Sequence, residues 1–217
     1  MITLTATITL DDGTTISLNK KNLLSLNIKT VDRSDMVMPS WGIISNGGTL
    51  RFLDYDKTIK DLAQNLKLKS KTKVNIFLNN TVSKATMQVG EFFSERWNYD
   101  NNTNEVTLAI TDGLKKMQDI NIIPLEYNYS IGGAEHNNIQ KIYDFLHLQT
   151  INNGFDMLSS SELDAETLSH LSGCGIRYPF IDEMTLWGAW QSLCEAFQLH
   201  IFKNRFGKIV CVYKGGD

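Results

Sequence analysis

From Ile2 to Leu10 isoleucine, leucine and alanine take turns with threonine, an alternation of period two. Side chains on a strand point to opposite faces in turn, so this pattern predicts a half-buried β-strand. Asp11-Asp12-Gly13 supplies the turn that follows. Thr15 to Leu18 and Leu24 to Val31 continue the β pattern, joined by the solvated Lys20-Lys21-Asn22. After Pro39 the stretch Ser40 to Asp54 combines strand residues with Asn46-Gly47-Gly48, which is expected to supply the positive φ angles of a tight turn. Tyr55 to Leu68 changes to helical spacing, with Ile59, Leu62, Ala63 and Leu66 on one face behind an Asp56 cap. Lys73 to Leu78 and Ala85 to Glu95 return to strand character across an Asn79-Asn80-Thr81 turn. Arg96 to Tyr99, the loop Asp100 to Asn104 and Glu105 to Thr111 read as a hairpin with Val106, Leu108 and Ile110 inward. Asp112-Gly113-Leu114 opens a brief helix.

The second half is less regular. Ile122 to Ile131 is apolar and aromatic, Gly132-Gly133 follows, and a helix is predicted from about Asn138 to Gln149 through Ile139, Ile142, Tyr143 and Leu146. Ser159 to Leu171 reads as one further helix that closes at Gly173. Leu186, Trp190, Leu193 and Phe197 recur at four, three and four residues, which predicts an amphipathic helix capped by Asp182 or Thr185. Burying those side chains contributes roughly 6 to 12 kcal/mol, an upper bound from extended-chain areas. Leu199 to Lys203 and Lys208 to Tyr213 form a hairpin across Asn204-Arg205-Phe206-Gly207, with Gly207 at a left-handed turn position. The fold class is therefore α+β and predominantly β. Two closely joined domains are expected, residues 1–120 and 121–217.

Composition narrows the function. The 217 residues are 42% hydrophobic and 21% charged with a net charge of -3, enough to build packed cores and without the cationic excess of a nucleic-acid binder. The three cysteines, Cys174, Cys194 and Cys211, are odd in number and lack CxxC spacing, so reduced thiols are expected rather than a disulfide framework or a zinc site. No apolar run approaches the roughly 18 residues of a membrane span, and Met1-Ile2-Thr3 does not begin a signal peptide. Folding in the cytoplasm is the expectation.

No side chains combine into an evident reaction centre. A nucleophile needs a base at hand, and there is no G-x-S-x-G elbow. His136, His147, His170 and His200 are dispersed without metal-ligand spacing. Asp54 and Asp56 share a strand-face spacing, but turn and capping roles account for them, since Lys57 and Lys60 follow where calcium ligands would be required. Gly47-Gly48 and Gly132-Gly133 lack the residues of phosphate-binding loops. Lys67, Lys69, Lys71 and Lys73 suit the protection of an edge strand better than phosphate binding. Trp41, Trp97, Trp187 and Trp190 suggest core or subunit contact, or a sugar-stacking shelf. Catalytic, cofactor-binding and metal-ligating residues are all expected to be absent.

Two stretches carry a resemblance. The first is the ordered series Trp41-Gly42-Ile43-Ile44-Ser45-Asn46-Gly47-Gly48-Thr49-Leu50-Arg51-Phe52-Leu53-Asp54, Val74-Asn75-Ile76-Phe77-Leu78, Val89-Gly90-Glu91-Phe92-Phe93 and Glu105 to Leu114. The second is Thr185 to Tyr213. In order and spacing they are similar to the tail-tip or baseplate hub proteins of tailed phages, over about half of the chain. The resemblance implies a β-barrel tube-type domain followed by a smaller α/β portion, in copies that form a ring joining tail tube to host-facing tip. It implies a homo-oligomer, threefold first and sixfold second, with other tail or baseplate proteins as partners and nucleic acid only in passage through a channel. The working location is then the virion tail. The chain is short for the pattern, since larger hub proteins continue beyond the point where Gly215-Gly216-Asp217 ends it. The alternatives are a host-surface carbohydrate-binding module, built on Trp41, Trp97 or Tyr127 to Tyr129, and, more remotely, a peptidoglycan hydrolase.

Overall fold

A computed structural model describes residues 2–10, 12–31, 42–64, 72–122, 137–176 and 184–213. The chain forms two compact units, Met1–Val31 with Ser45–Gly113 and Asn204–Gly207, and Asp32–Ile44 with Leu114–Lys203 and Lys208–Asp217.

The first unit contains β1 (Ile2–Thr9), β2 (Thr15–Leu18), β3 (Leu23–Val31), most of β4 (Gly42–Leu53), α1 (Thr58–Gln64), β5 (Lys73–Asn80), β6 (Thr86–Asp100) and β7 (Glu105–Thr111). Its strands pair antiparallel in the order β2-β1-β5-β6-β7-β4-β3. The expected alternation holds in β1, where Ala6 and Ile8 are buried. They meet Leu50, Phe52, Ile59, Val74, Ile76, Phe92, Val106, Leu108 and Ile110 in one apolar core.

Two expectations are corrected here. The sheet is open and is not a closed barrel: β2 and β3 are the ends of the pairing order, and no ladder joins them among the described residues. The physical reason lies at Asn19–Asn22, where the Asn22 and Leu23 N–H groups both donate to the Asn19 carbonyl. This turn sends β3 to β4 instead of back along the four-residue β2. Gly47-Gly48 are also not a turn, because they lie inside the continuous β4. Glycine is needed for close approach: a Cβ on Gly48 would sit 2.0 Å from the Asn27 carbonyl oxygen of β3.

The helix α1 is capped from an unexpected place. Asp54, buried at the end of β4, accepts from the N–H groups of Ile59 and Lys60 at 3.0 and 3.1 Å, while Asp56 is exposed. Ile59 is buried as predicted; the side chains of Leu62 and Ala63, and Leu66 altogether, lie outside the described residues. At the other end of β4 a second carboxylate is buried. Asp112 accepts from the Ser45 hydroxyl at 2.8 Å and from the Asn46 N–H, and its own N–H donates to the Asn46 carbonyl at 2.9 Å.

The second unit starts with a 3-10 helix, Leu114–Asp119. It continues through β8 (Asn121–Ile122), β9 (Asn137–Asn138), α2 (Ile139–Asn152), a 3-10 turn at Ser160–Glu162, α3 (Ala165–Gly173), β10 (Gly175–Ile176), β11 (Met184–Thr185), α4 (Leu186–Phe197), β12 (Leu199–Lys203) and β13 (Ile209–Tyr213). The β12–β13 hairpin is antiparallel with Ile201 opposite Cys211, and His200–Phe202 pair in parallel with Gly42–Ile44 at the start of β4. Ile139, Ile142, Tyr143, Leu146, Leu186, Trp190, Leu193, Leu199, Ile201 and Ile209 share its core, so the helical faces read from periodicity are the packed ones. Thr185 caps α4 by accepting from the Gly188 N–H at 3.0 Å. Gln198, with φ 55, ends α4, and its N–H donates to the Cys194 carbonyl.

The single helix expected over Ser159 to Leu171 is broken. Leu163 and Asp164 are extended, and Asp164 opens α3 afresh by accepting from the Thr167 N–H at 2.9 Å. An Asp is a better N-cap than a helix interior residue, because its short carboxylate satisfies a free N–H of the first turn. No helix among the described residues is long and apolar enough to cross a membrane.

Two stability outcomes follow from these carboxylates. Asp112→Ala leaves the buried Ser45 hydroxyl and the Asn46 N–H without this acceptor, and should cost about 3 kcal/mol in urea unfolding, measured against wild type. The Asp164 carboxyl is held below its ordinary value of 3.8, chiefly by the Thr167 N–H. The native state therefore binds this proton less readily than the unfolded chain, and the stabilisation is complete above the unfolded value and fades as pH falls through the lower native one. Relative to Asp164→Asn, which caps without titrating, wild-type stability should hold a constant offset above about pH 5 and lose ground below about pH 4.

Candidate assembly surface

The residues singled out for chemistry are dispersed in the structure. His147 contacts the Met157 carbonyl through Nε2 at 3.2 Å, and His170 contacts the Phe197 carbonyl at 2.9 Å while stacking on Tyr213 with ring centroids 3.7 Å apart. These are contacts that fasten helices α2 and α3 to their surroundings. His200 lies on β12. Among the described residues, no three of His, Cys, Asp and Glu gather as metal ligands. Asp54 and Asp56 part company, one buried in a cap and the other exposed. Lys73 pairs with Glu91 at 2.6 Å. Trp41, Lys67, Lys69, Lys71, Tyr127, Tyr129, Gly132-Gly133 and His136 lie outside the described residues.

The remaining tryptophans serve the cores. Trp97 stands opposite Leu108 and packs partly buried against the first core. Trp190 is fully buried, with its Nε1–H donating to the Thr150 hydroxyl at 2.9 Å and Tyr143 edge-on at 5.4 Å. Trp187 rests half-buried on the same core. Cys194 and Cys211 are buried beside them, and desolvation pushes both thiols up from their ordinary range. A neutral thiol is a poor nucleophile, so these two act as small apolar side chains.

What the sequence did not reveal is an apolar end to the first unit. The register β1–β5–β6 carries the core-facing side outward in steps, from Ala6, Ile76 and Gly90 to Leu4, Leu78 and Met87 and then to Ile2 beside Asn80. Paired residues of an antiparallel ladder share a face, so this is the face that elsewhere builds the core. Here it runs past the core: Ile2 is 68% exposed, Met87 48%, and Val82 in the following turn 81%. The reverse face is mostly polar: it carries Thr3, Thr5 and Thr7, with Phe77 opposite Thr5 and Glu91 beyond Asn75, and Asn79 is bonded to Thr5 and Thr86 to Asn79, both at 2.7 Å. Strands β5 and β6 thus project an amphipathic ribbon with an uncovered apolar side. Covering a side chain of this size is worth about 1.5 to 3 kcal/mol when complete, which is how such a surface drives association. The one sequence signal was Val82, an apolar residue inside the polar run Asn79 to Lys84.

The two units, an open antiparallel sheet and an α/β unit whose hairpin pairs with its own residues 42–44, have a likeness in a solved phage protein. The chain is similar to the 43 kDa tail protein of prophage MuSo2 from Shewanella oneidensis, with a TM-score of 0.51 and 10% sequence identity over 97% of this chain. The chain spans 55% of the length of that protein. A protein of the native gene transfer agent virion aligns over 64% of this chain and 46% of its own, at 10% identity and a TM-score of 0.38, below the level of a shared fold. No protein-family profile matches the sequence, and no curated protein matches it significantly. The likeness to the prophage tail protein is one of fold.

Burial makes a direct prediction for the thiols. A disulfide exchange reagent added to the native protein should modify Cys174, which is half-buried, and leave Cys194 and Cys211 untouched until denaturant is added. Counting modified thiols by mass before and after unfolding checks this.

Proposed function

We propose that this chain is a structural subunit of a phage tail, placed at the tail tip or baseplate hub, and that it acts by assembly and not by catalysis. The observation that carries this reading is the fold, shared over 97% of the chain with a prophage tail protein. The motif order of residues 41 to 114 and 185 to 213 agrees with it. So does the uncovered apolar ribbon of Ile2, Val82 and Met87, which suits a protein that completes its burial against neighbours. In this reading copies of the chain form a ring, threefold first and sixfold second, that joins tail tube to host-facing tip. Other tail proteins cap it on either side, and nucleic acid meets it only in passage. A symmetric assembly is the economical arrangement for such a surface, since one contact repeated around an axis covers every copy.

The test is the mass of the purified protein in solution, by sedimentation or native mass spectrometry, with and without other tail components. A trimer or hexamer, or capture into a complex with tail proteins, is expected. Val82→Lys and Met87→Lys each place a charge on the ribbon and should weaken that association at least tenfold while leaving the thermal unfolding of the isolated chain nearly unchanged. A stable monomer without affinity for tail components overturns the proposal. Glycan binding by that monomer points instead to a host-surface carbohydrate module.

A further inference from the structure

We draw no further inference here: the strongest candidate outside the apolar ribbon, the Arg205–Phe206 pair at the turn between β12 and β13, with Phe206 59% exposed and the guanidinium 4.7 Å from its ring centroid, carries nothing because no feature of the structure shows what covers it.

Discussion

The buried carboxylate of Asp112 holds the first unit together at its most demanding point. The chain returns to that unit at Ser45 and leaves it again after Gly113, and Asp112 binds the hydroxyl of Ser45 and the N–H of Asn46 where these two passages run side by side. Removing a carboxylate from water is costly unless its oxygens are met by donors, and here both oxygens are. Once the passages are pinned, β4 is aligned so that β3 and β7 pair along its two edges. Gly48 lets β3 come close enough to do so. The row Ile28, Gly48, Ile110 then closes over the core.

The same sheet explains the exposed apolar end. The β1–β5 ladder keeps its alternation to the last pair, and in β6 a bulge at Val89 brings Met87 onto the face of its partner Leu78. The face that is buried at Ile8 and Val74 is therefore still apolar at Ile2 and Met87, which are exposed. Threonine and asparagine on the reverse face satisfy one another and leave little net charge to oppose contact with a neighbour. An amphipathic ribbon of this kind supports the proposed role in assembly.

The second unit follows a different logic, in which α4 is the central element. Its apolar side chains meet α2, the hairpin and the first 3-10 helix, and the polar atoms of Trp190, Thr150 and Tyr143 in that core find partners close by. Trp190 bonds to Thr150, which bonds in turn to the Leu146 carbonyl at 2.7 Å, and the Tyr143 hydroxyl reaches the Leu158 carbonyl at 2.6 Å. Satisfied pairs of this kind hold a core in one arrangement, since any other leaves a polar group without a partner. The buried cysteines and tryptophans are accounted for by packing.

Local pattern alone determined much of this protein. Threonine alternation specified β1, the spacing of Leu186, Trp190, Leu193 and Phe197 specified α4, Thr185 its cap, and Gly207 the turn of the last hairpin, since each depends on neighbours a few residues away. The tertiary structure decided the rest, wherever the partner is distant in the chain. Gly47-Gly48 has the composition of a turn, yet the approach of Asn27 makes it strand. Asp54 outcompetes Asp56 because the end of β4 places it beneath α1. Asp164 divides a stretch whose apolar spacing reads as one helix. Barrel closure and the uncovered ribbon belong to the same class, for a sequence states which face of a strand is apolar but not where the core beneath that face stops.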